Sequence, residues 1–203
     1  TTEIYTLSLH DALPIWRTLI SLVNDISDFT NIDGGNLKIE KRPYSVLSFV
    51  QDVIAYAQFN TEKNNLEFHY NIDENIPEQL CGDMLHLIQI FNNLISNSVK
   101  FTQEGSVELY MTWTAKGDNL GILSAVIKDT GIGMKEEERI RLQQNFEEWG
   151  GRQNYKIEKK KMGVVILTKI FDKMGGKLGI YREYGGGATI LFQIEQGDWA
   201  KER

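Results

Sequence analysis

Hydrophobic positions along this chain follow two periods, and the switches between them mark out its elements. Trp16, Leu19, Ile20, Val23, Ile26 and Phe29 keep helical spacing until Asn31, Asp33, Gly34 and Gly35 end the series. A short strand is expected over Leu37 to Lys41. A helix opened by Pro43 and Ser45 follows, with Val46, Leu47, Val50, Val53, Ile54 and Ala57 facing inward. Leu66, Phe68, Tyr70 and Ile72 then alternate with Glu67, His69 and Asn71, a strand with one buried face that sets His69 toward solvent. Asp83 caps a helix running to about Phe101. Val107, Leu109, Met111 and Trp113 line one strand and Leu123, Ala125 and Ile127 the next, joined by a polar turn around Lys116 to Asn119. From Lys135 to Lys161 the chain is charged, with little periodicity beyond Ile140, Leu142 and Phe146: a long connection of the kind that carries function. A helix returns at Met162 with Val165, Ile166, Ile170 and Met174 inward, ending at Gly175-Gly176. Two strands, Lys177 to Tyr181 and Ala188 to Ile194, pair across Gly185 to Gly187, and the polar tail from Gln196 is expected to fray.

The helix after Asp83 is the most informative element. Ile90, Phe91, Leu94, Ile95 and Val99 form its apolar face, while Gln89, Asn93, Asn97 and Lys100 fall on one polar stripe. Five of the seven residues from Asn92 to Ser98 are Asn or Ser, mediocre helix formers that propensity alone would not select. An Asn carbonyl oxygen can coordinate a hard cation, two at i and i+4 can serve one ligand, and Lys100 adds a charge suited to phosphate. The same stripe also fits an ordinary solvated face. Asp129 continues the buried series of its strand, so its carboxylate points to the apolar side and needs a hydrogen-bonding partner there. DTGIGM follows, and Gly131 and Gly133 let the backbone bend or approach a ligand, although plain turns use the same residues. Gly163 opens the helix after the long connection, where unpaired amides and the helix dipole favour phosphate.

Composition narrows the field. The chain has 203 residues, 41% hydrophobic and 25% charged, with a formal charge of -6, which offers no general attraction to nucleic acid. Cys81 is the sole cysteine, so there is no disulfide framework or cysteine metal cluster, and a reducing compartment is expected. No apolar run reaches the length of a membrane span. Residues 1–15 lack the pattern of a signal peptide and read as a non-native scar.

Together these stretches resemble a known family. NNLISNSVKFTQEGSV is similar to the N box of the ATP-binding catalytic domain of sensor histidine kinases, part of the wider ATPase fold of gyrase, Hsp90 and MutL. DTGIGM resembles the family's first glycine box, and MGVVILTKIFDKMGGKLGI its second glycine box with the following strand. LVNDISDFTNIDGGNLKIEKRPYSV resembles the end of a dimerisation hairpin and its passage into the kinase domain, as in hybrid kinases. The likeness runs from about Leu22 to Ile194.

The resemblance implies a two-layer α/β (α+β) sandwich of the Bergerat type, with a mixed, mainly antiparallel sheet covered on one face by helices. It divides the chain into the scar at 1–15, the end of a dimerisation helix at 16–35, an ATP-binding domain at 36–196 and a tail at 197–203. It implies ATP and magnesium as cofactors. Asn97 would hold the metal and Asn93 would sit beside it as the catalytic residue. Lys100 would meet phosphate and Asp129 the adenine amine, with Gly131 and Gly133 shaping the hinge of a lid and Gly163 offering backbone to phosphate. Hydrolysing relatives carry glutamate where Asn93 stands, and asparagine cannot take a proton from water, so transfer to a protein histidine is favoured over hydrolysis. The implied partners are a histidine-bearing dimerisation domain, a response-regulator receiver domain and a second copy of the parent protein, with this part on the cytosolic side of a membrane-anchored receptor.

The pattern also departs from the family. Only Phe146 remains of the phenylalanines in the F box, and Lys159 and Lys161 stand where two glycines of the second glycine box are usual, with Gly163 as the third. Side chains there obstruct close backbone approach to phosphates. This carries the alternative reading, a degenerate kinase-like domain acting in dimerisation or regulation. His10 precedes Asn24 by too few residues to sit on a full hairpin, and His86 falls inside the central helix, so no histidine of the chain is the expected phosphoacceptor.

Overall fold

The computed structural model describes residues 37–117, 119–137, 139–140, 162–182 and 186–199. The chain divides into two compact units, Thr1–Lys38 with Tyr155–Ile166, and Ile39–Asn154 with Leu167–Arg203. The expected dimerisation helix, the scar, Phe146, Lys159 and Lys161 lie outside the described residues.

The elements in order are β1 (Arg42–Ser45), α1 (Val46–Lys63), β2 (Glu67–Ile72), β3 (Gln79–Gly82), α2 (Met84–Phe101), β4 (Ser106–Ala115), β5 (Leu120–Asp129), α3 (Met162–Lys173), β6 (Lys177–Arg182) and β7 (Ala188–Asp198). The strands form one seven-stranded sheet in the order β1-β3-β7-β5-β4-β2, with β6 also pairing β7. Only β2 against β4 is parallel among these pairings; the rest are antiparallel. β7 organises the sheet because its length serves several partners. One edge pairs with β5 from Ala188↔Asp129 to Gly197↔Leu120. The other takes β6 along Ala188 to Gln193 and β3 at Gly197 and Asp198.

Strict alternation fixes which face of the sheet is covered. Val107, Leu109 and Met111 of β4, Leu123, Ala125 and Ile127 of β5, and Phe192 and Ile194 of β7 are buried. A chain of edge-to-face rings joins them to the helices: Phe49 of α1 meets Phe91 of α2 at 5.4 Å, Phe91 meets Phe192 of β7 at 4.9 Å, and Phe171 of α3 meets Phe192 at 5.4 Å. This is the expected mixed sheet with helices on one face.

Caps set the helix starts. The Ser45 side chain accepts from Ser48 N and opens α1; Asp83 accepts from His86 N and opens α2, which runs to Phe101 as its periodicity predicts. Several expectations need correction. Residues 37–41 are not a strand; the first strand is Arg42–Ser45, and Pro43 lies within it rather than at a helix start. A proline is tolerated there because β1 is an edge strand, where a missing N–H costs no ladder bond on the open side. Leu47 is 67% exposed, and Phe49, two residues on and on the opposite side of the helix, is buried in its place. Tyr70 is 51% exposed because β2 ends the sheet and has a neighbour on one side only. β3 was not foreseen, because its four residues, Gln-Leu-Cys-Gly, are too few to show an alternating pattern in sequence although their burial alternates. β7 continues to Asp198, so Gln196 and Asp198 are buried parts of the sheet and not a frayed tail.

Candidate nucleotide site

The site is built where the end of α2 meets the end of β5. Asn93 and Asn97 share the outward flank of α2, both half-buried, one turn apart. The Asn93 Nδ2 donates to the Gln89 carbonyl at 3.1 Å, so Oδ1 is the atom that can face a ligand. Lys100 is exposed, its Nζ 5.5 Å from the centre of the Phe101 ring. Lys100 also borders a groove of about 580 Å³ with Asn60, Asn64, Ser96, Val99, Thr102 and Gln103. That groove contains none of Asn93, Asn97 or Asp129 and lies beside the site rather than in it.

Asp129 ends β5 with its side chain turned inward, only 5% exposed, as the alternation predicts. Its Oδ1 accepts from Gly131 N at 3.0 Å and from Ala188 N at 3.1 Å. Burial is the strongest influence on this carboxyl and lifts its pKa above the ordinary value, against the pull of the two amides and of the nearby Ser98 hydroxyl. Ser98 Oγ is itself buried and makes no hydrogen bond of good geometry. A dry carboxylate with no cationic partner in these contacts, one oxygen held by two amides and an unsatisfied hydroxyl close by, suits a neutral donor such as the exocyclic amine of a purine.

The DTGIG turn is clasped from two sides. On the α2 side, Ile132 N donates to the Phe101 carbonyl at 3.1 Å, and a Cβ at Gly131 would collide with that same carbonyl. On the β6–β7 side, Gly187 N donates to the Gly131 carbonyl at 2.6 Å. Gly187 has φ +84, and a Cβ there would run into the Asp129 carbonyl. Gly133 has φ +67 and packs against the Gly187 backbone.

Sequence reasoning named Asp129, Gly131 and Gly133 but missed Ser98, Gly187 and the Ala188 amide. The signal for the last two was the glycine run before Ala188, read only as a turn between strands. Gly163 lies in the first turn of α3, among amides that have no partner earlier in that helix. Among the described residues no group of His, Cys, Asp and Glu could hold a metal ion. An Asn oxygen together with nucleotide phosphates and water still fits magnesium, which keeps most of its water and takes few protein ligands.

Comparison with known proteins agrees with this geometry. Residues 82–198 match the family described as histidine kinase-, DNA gyrase B-, and HSP90-like ATPase. The chain is 30% identical over 178 residues to the signal transduction histidine-protein kinase BarA of Escherichia coli K12, covering 88% of this chain and 19% of BarA. It is 30% identical over 179 residues to the sensory/regulatory protein RpfC of Xanthomonas campestris, covering 88% of this chain and 25% of RpfC. The chain thus spans a quarter or less of these relatives. Full-length ShkA, solved in complex with AMPPNP, superposes with a TM-score of 0.66 at 25% identity, over 87% of this chain and 35% of ShkA. With the N-box helix, the DTGIG turn and the sheet order all in place, the chain belongs to the histidine kinase-, DNA gyrase B- and HSP90-like ATPase family, as an ATP-binding domain of the histidine-kinase type.

Proposed function

We propose that this domain binds Mg-ATP and presents its γ-phosphoryl group to a histidine on a dimerisation domain. The observation that carries the reading is the Asp129 carboxylate, buried, held by the Gly131 and Ala188 amides and set against Ser98 of α2, the residue after Asn97. In this reading Asp129 takes the adenine amine, Asn97 Oδ1 holds magnesium against the phosphates, and Asn93 stands next to the reacting phosphoryl group. Lys100 supplies a further phosphate contact, and Gly131 and Gly133 form the hinge of the lid. Catalysis rests on positioning and electrostatics, with the metal neutralising phosphate charge when bound. Asn93 offers no general base, which suits transfer rather than hydrolysis.

The partners in this reading are a histidine-bearing hairpin, a receiver domain that takes the phosphoryl group onward, and a second copy of the parent protein. The domain works in the cytosol, where ATP is held; no helix among the described residues is long and apolar enough to cross a membrane. The domain proposed from residue 36 extends past the expected limit at 196 to take in the end of β7 at Asp198, and is preceded by the end of a dimerisation helix at 16–35.

Calorimetry with ATP, with and without magnesium, tests the first step. Saturable binding that tightens with magnesium, the gain from magnesium disappearing in Asn97→Ala, supports it, and no binding at high ATP concentration overturns it. Adding a separate hairpin that carries the acceptor histidine then tests transfer. A second reading, a degenerate domain that regulates a partner kinase, is favoured by Lys159 and Lys161 at glycine positions. Replacing both with glycine decides between them: a large gain in affinity marks an eroded site.

A further inference from the structure

Thr130 lies between two residues of the proposed adenine site yet faces away from it. Asp129 turns inward at the end of β5, and Thr130, the next residue, is exposed on the opposite side. Its Oγ1 accepts from Ser106 N at 2.9 Å and stands 3.4 Å from the carbonyls of Glu104 and of Ser106. Its own N–H donates to the Ser106 carbonyl at 3.1 Å. Gly105 has φ +113, and the space where its Cβ would be is filled by the Thr130 side chain. The hydroxyl therefore adds a side-chain tie between the DTGIG turn and the loop through which α2 passes into β4, beside the main-chain bonds of Thr130 N to Ser106 and of Ile132 N to Phe101.

The placement matters because the acceptor is set by backbone on both sides of Thr130. Asp129 Oδ1 is aimed by the Gly131 amide, and Gly131 is wedged against the Phe101 carbonyl at the end of α2. If the turn moves relative to the Phe101–Ser106 loop, Gly131 N moves with it and the carboxylate loses its aim. The β6–β7 side does not replace this tie, since Gly187 N and Ala188 N hold Asp129 and Gly131 to β7 and not to α2.

We infer that Thr130 is a positioning residue for adenine recognition, acting through Asp129 and Gly131 without touching the nucleotide. The inference rests on the proposed ATP binding. Its signature is a loss of base discrimination rather than a general loss of affinity, because only the contact to the purine amine depends on the aim of Asp129.

The test compares ATP with ITP, which carries an oxygen in place of the amine, by calorimetry on the unsubstituted chain, Thr130→Val and Thr130→Ser. Valine keeps the shape and removes the hydroxyl; serine keeps the hydroxyl. The expected result is an ATP-over-ITP preference in the unsubstituted chain that falls about fivefold to tenfold in Thr130→Val and returns in Thr130→Ser, with thermal midpoints nearly unchanged. Equal losses for both nucleotides, or a serine variant that behaves like valine, would show a merely structural role and overturn the inference. An unsubstituted chain that binds ATP while Thr130→Val matches it in every respect overturns Thr130 alone. A chain that binds neither nucleotide removes the proposed function and this role with it.

Discussion

Asp129 and Ala188 face each other as register partners across β5 and β7, and the Ala188 amide donates to the Asp129 carboxylate at 3.1 Å. Strand pairing thus aims the acceptor of the proposed adenine site with a backbone group that no side-chain motif reveals. Replacing Asp129 by Asn puts an amide where the carboxylate must accept from the purine amine. Asp129→Asn is expected to lower ATP affinity by about a hundredfold or more, measured by calorimetry. It should also raise the thermal midpoint slightly at neutral pH, because it removes a buried charge.

The pH dependence follows from the same burial. Because burial lifts the Asp129 pKa above 3.8 in the folded chain, the unfolded chain ionises first as pH rises. The ionised carboxylate therefore opposes folding above that value, and the cost disappears in acid, where both states are protonated. Binding has the opposite preference, since a protonated carboxyl is a poor acceptor. ATP affinity should start to fall, as pH descends, at a higher pH than an ordinary aspartate would give. Asn at this position should show no such limb.

Much of this arrangement was legible in the sequence, because alternation and helical spacing report burial directly. The series Leu123, Ala125, Ile127, Asp129 told that a carboxylate faced the core, and Asn93 with Asn97 told that a helix kept polar amides where its apolar face ended. Leu47 misled because apolar character alone does not fix the angle around a helix, and Phe49 took the inward position. Gly187 and Ala188 were invisible as site residues because their part is played by main-chain atoms brought in from 58 and 59 residues beyond Asp129. β3 escaped because its stability comes from pairing with β1 and β7 and not from any pattern of its own.

Gly187 shows how little freedom that turn has. At φ +84, with the Asp129 carbonyl where a Cβ would go, Gly187→Ala combines backbone strain with a collision against main chain. The expected loss is roughly 1–3 kcal/mol of folding stability by denaturant titration. ATP affinity should fall as well, since the Gly187–Ala188 segment carries the amide that aims Asp129. Gly117, also at positive φ but with nothing within 4 Å of a Cβ, is the control: Gly117→Ala should cost the strain alone and leave binding unchanged.

Asp83 joins the stretch before β1 to the start of α2 through one carboxylate. Its Oδ1 accepts from His86 N at 3.1 Å, and its Oδ2 accepts from Glu40 N at 2.8 Å and lies 2.7 Å from His86 Nδ1. Burial works to raise its pKa, but the Glu40 and His86 amides and the His86 ring outweigh that and hold it below 3.8. A depressed folded pKa gives stability that is present above 3.8 and lost as pH falls through the lower folded value. Asp83→Ala should cost about 1–2 kcal/mol at neutral pH and flatten the acid limb of a stability–pH curve. Asp83→Asn should retain part of the cap but not the acid dependence.

Asn97 and Asn93 should separate by what each variant loses. Asn97 is the residue assigned to the metal, so Asn97→Ala is expected to remove the part of ATP affinity that depends on magnesium and to leave metal-free binding nearly as it was. Asn93 is assigned to the reacting phosphoryl group, so Asn93→Ala should keep Mg-ATP binding within about threefold and lose transfer to a hairpin histidine supplied in trans by about a hundredfold. Both side chains are half-buried on the outward flank of α2, away from Phe91, Leu94, Ile95 and Val99, so neither change opens the core. Thermal midpoints within a few degrees of the unsubstituted chain would confirm that the losses are chemical. If Asn93→Ala instead abolished magnesium-dependent binding while Asn97→Ala spared it, the two assignments would be exchanged. If neither variant changed binding or transfer, the asparagine stripe would be an ordinary solvated face, and the site would have to be sought elsewhere on the domain.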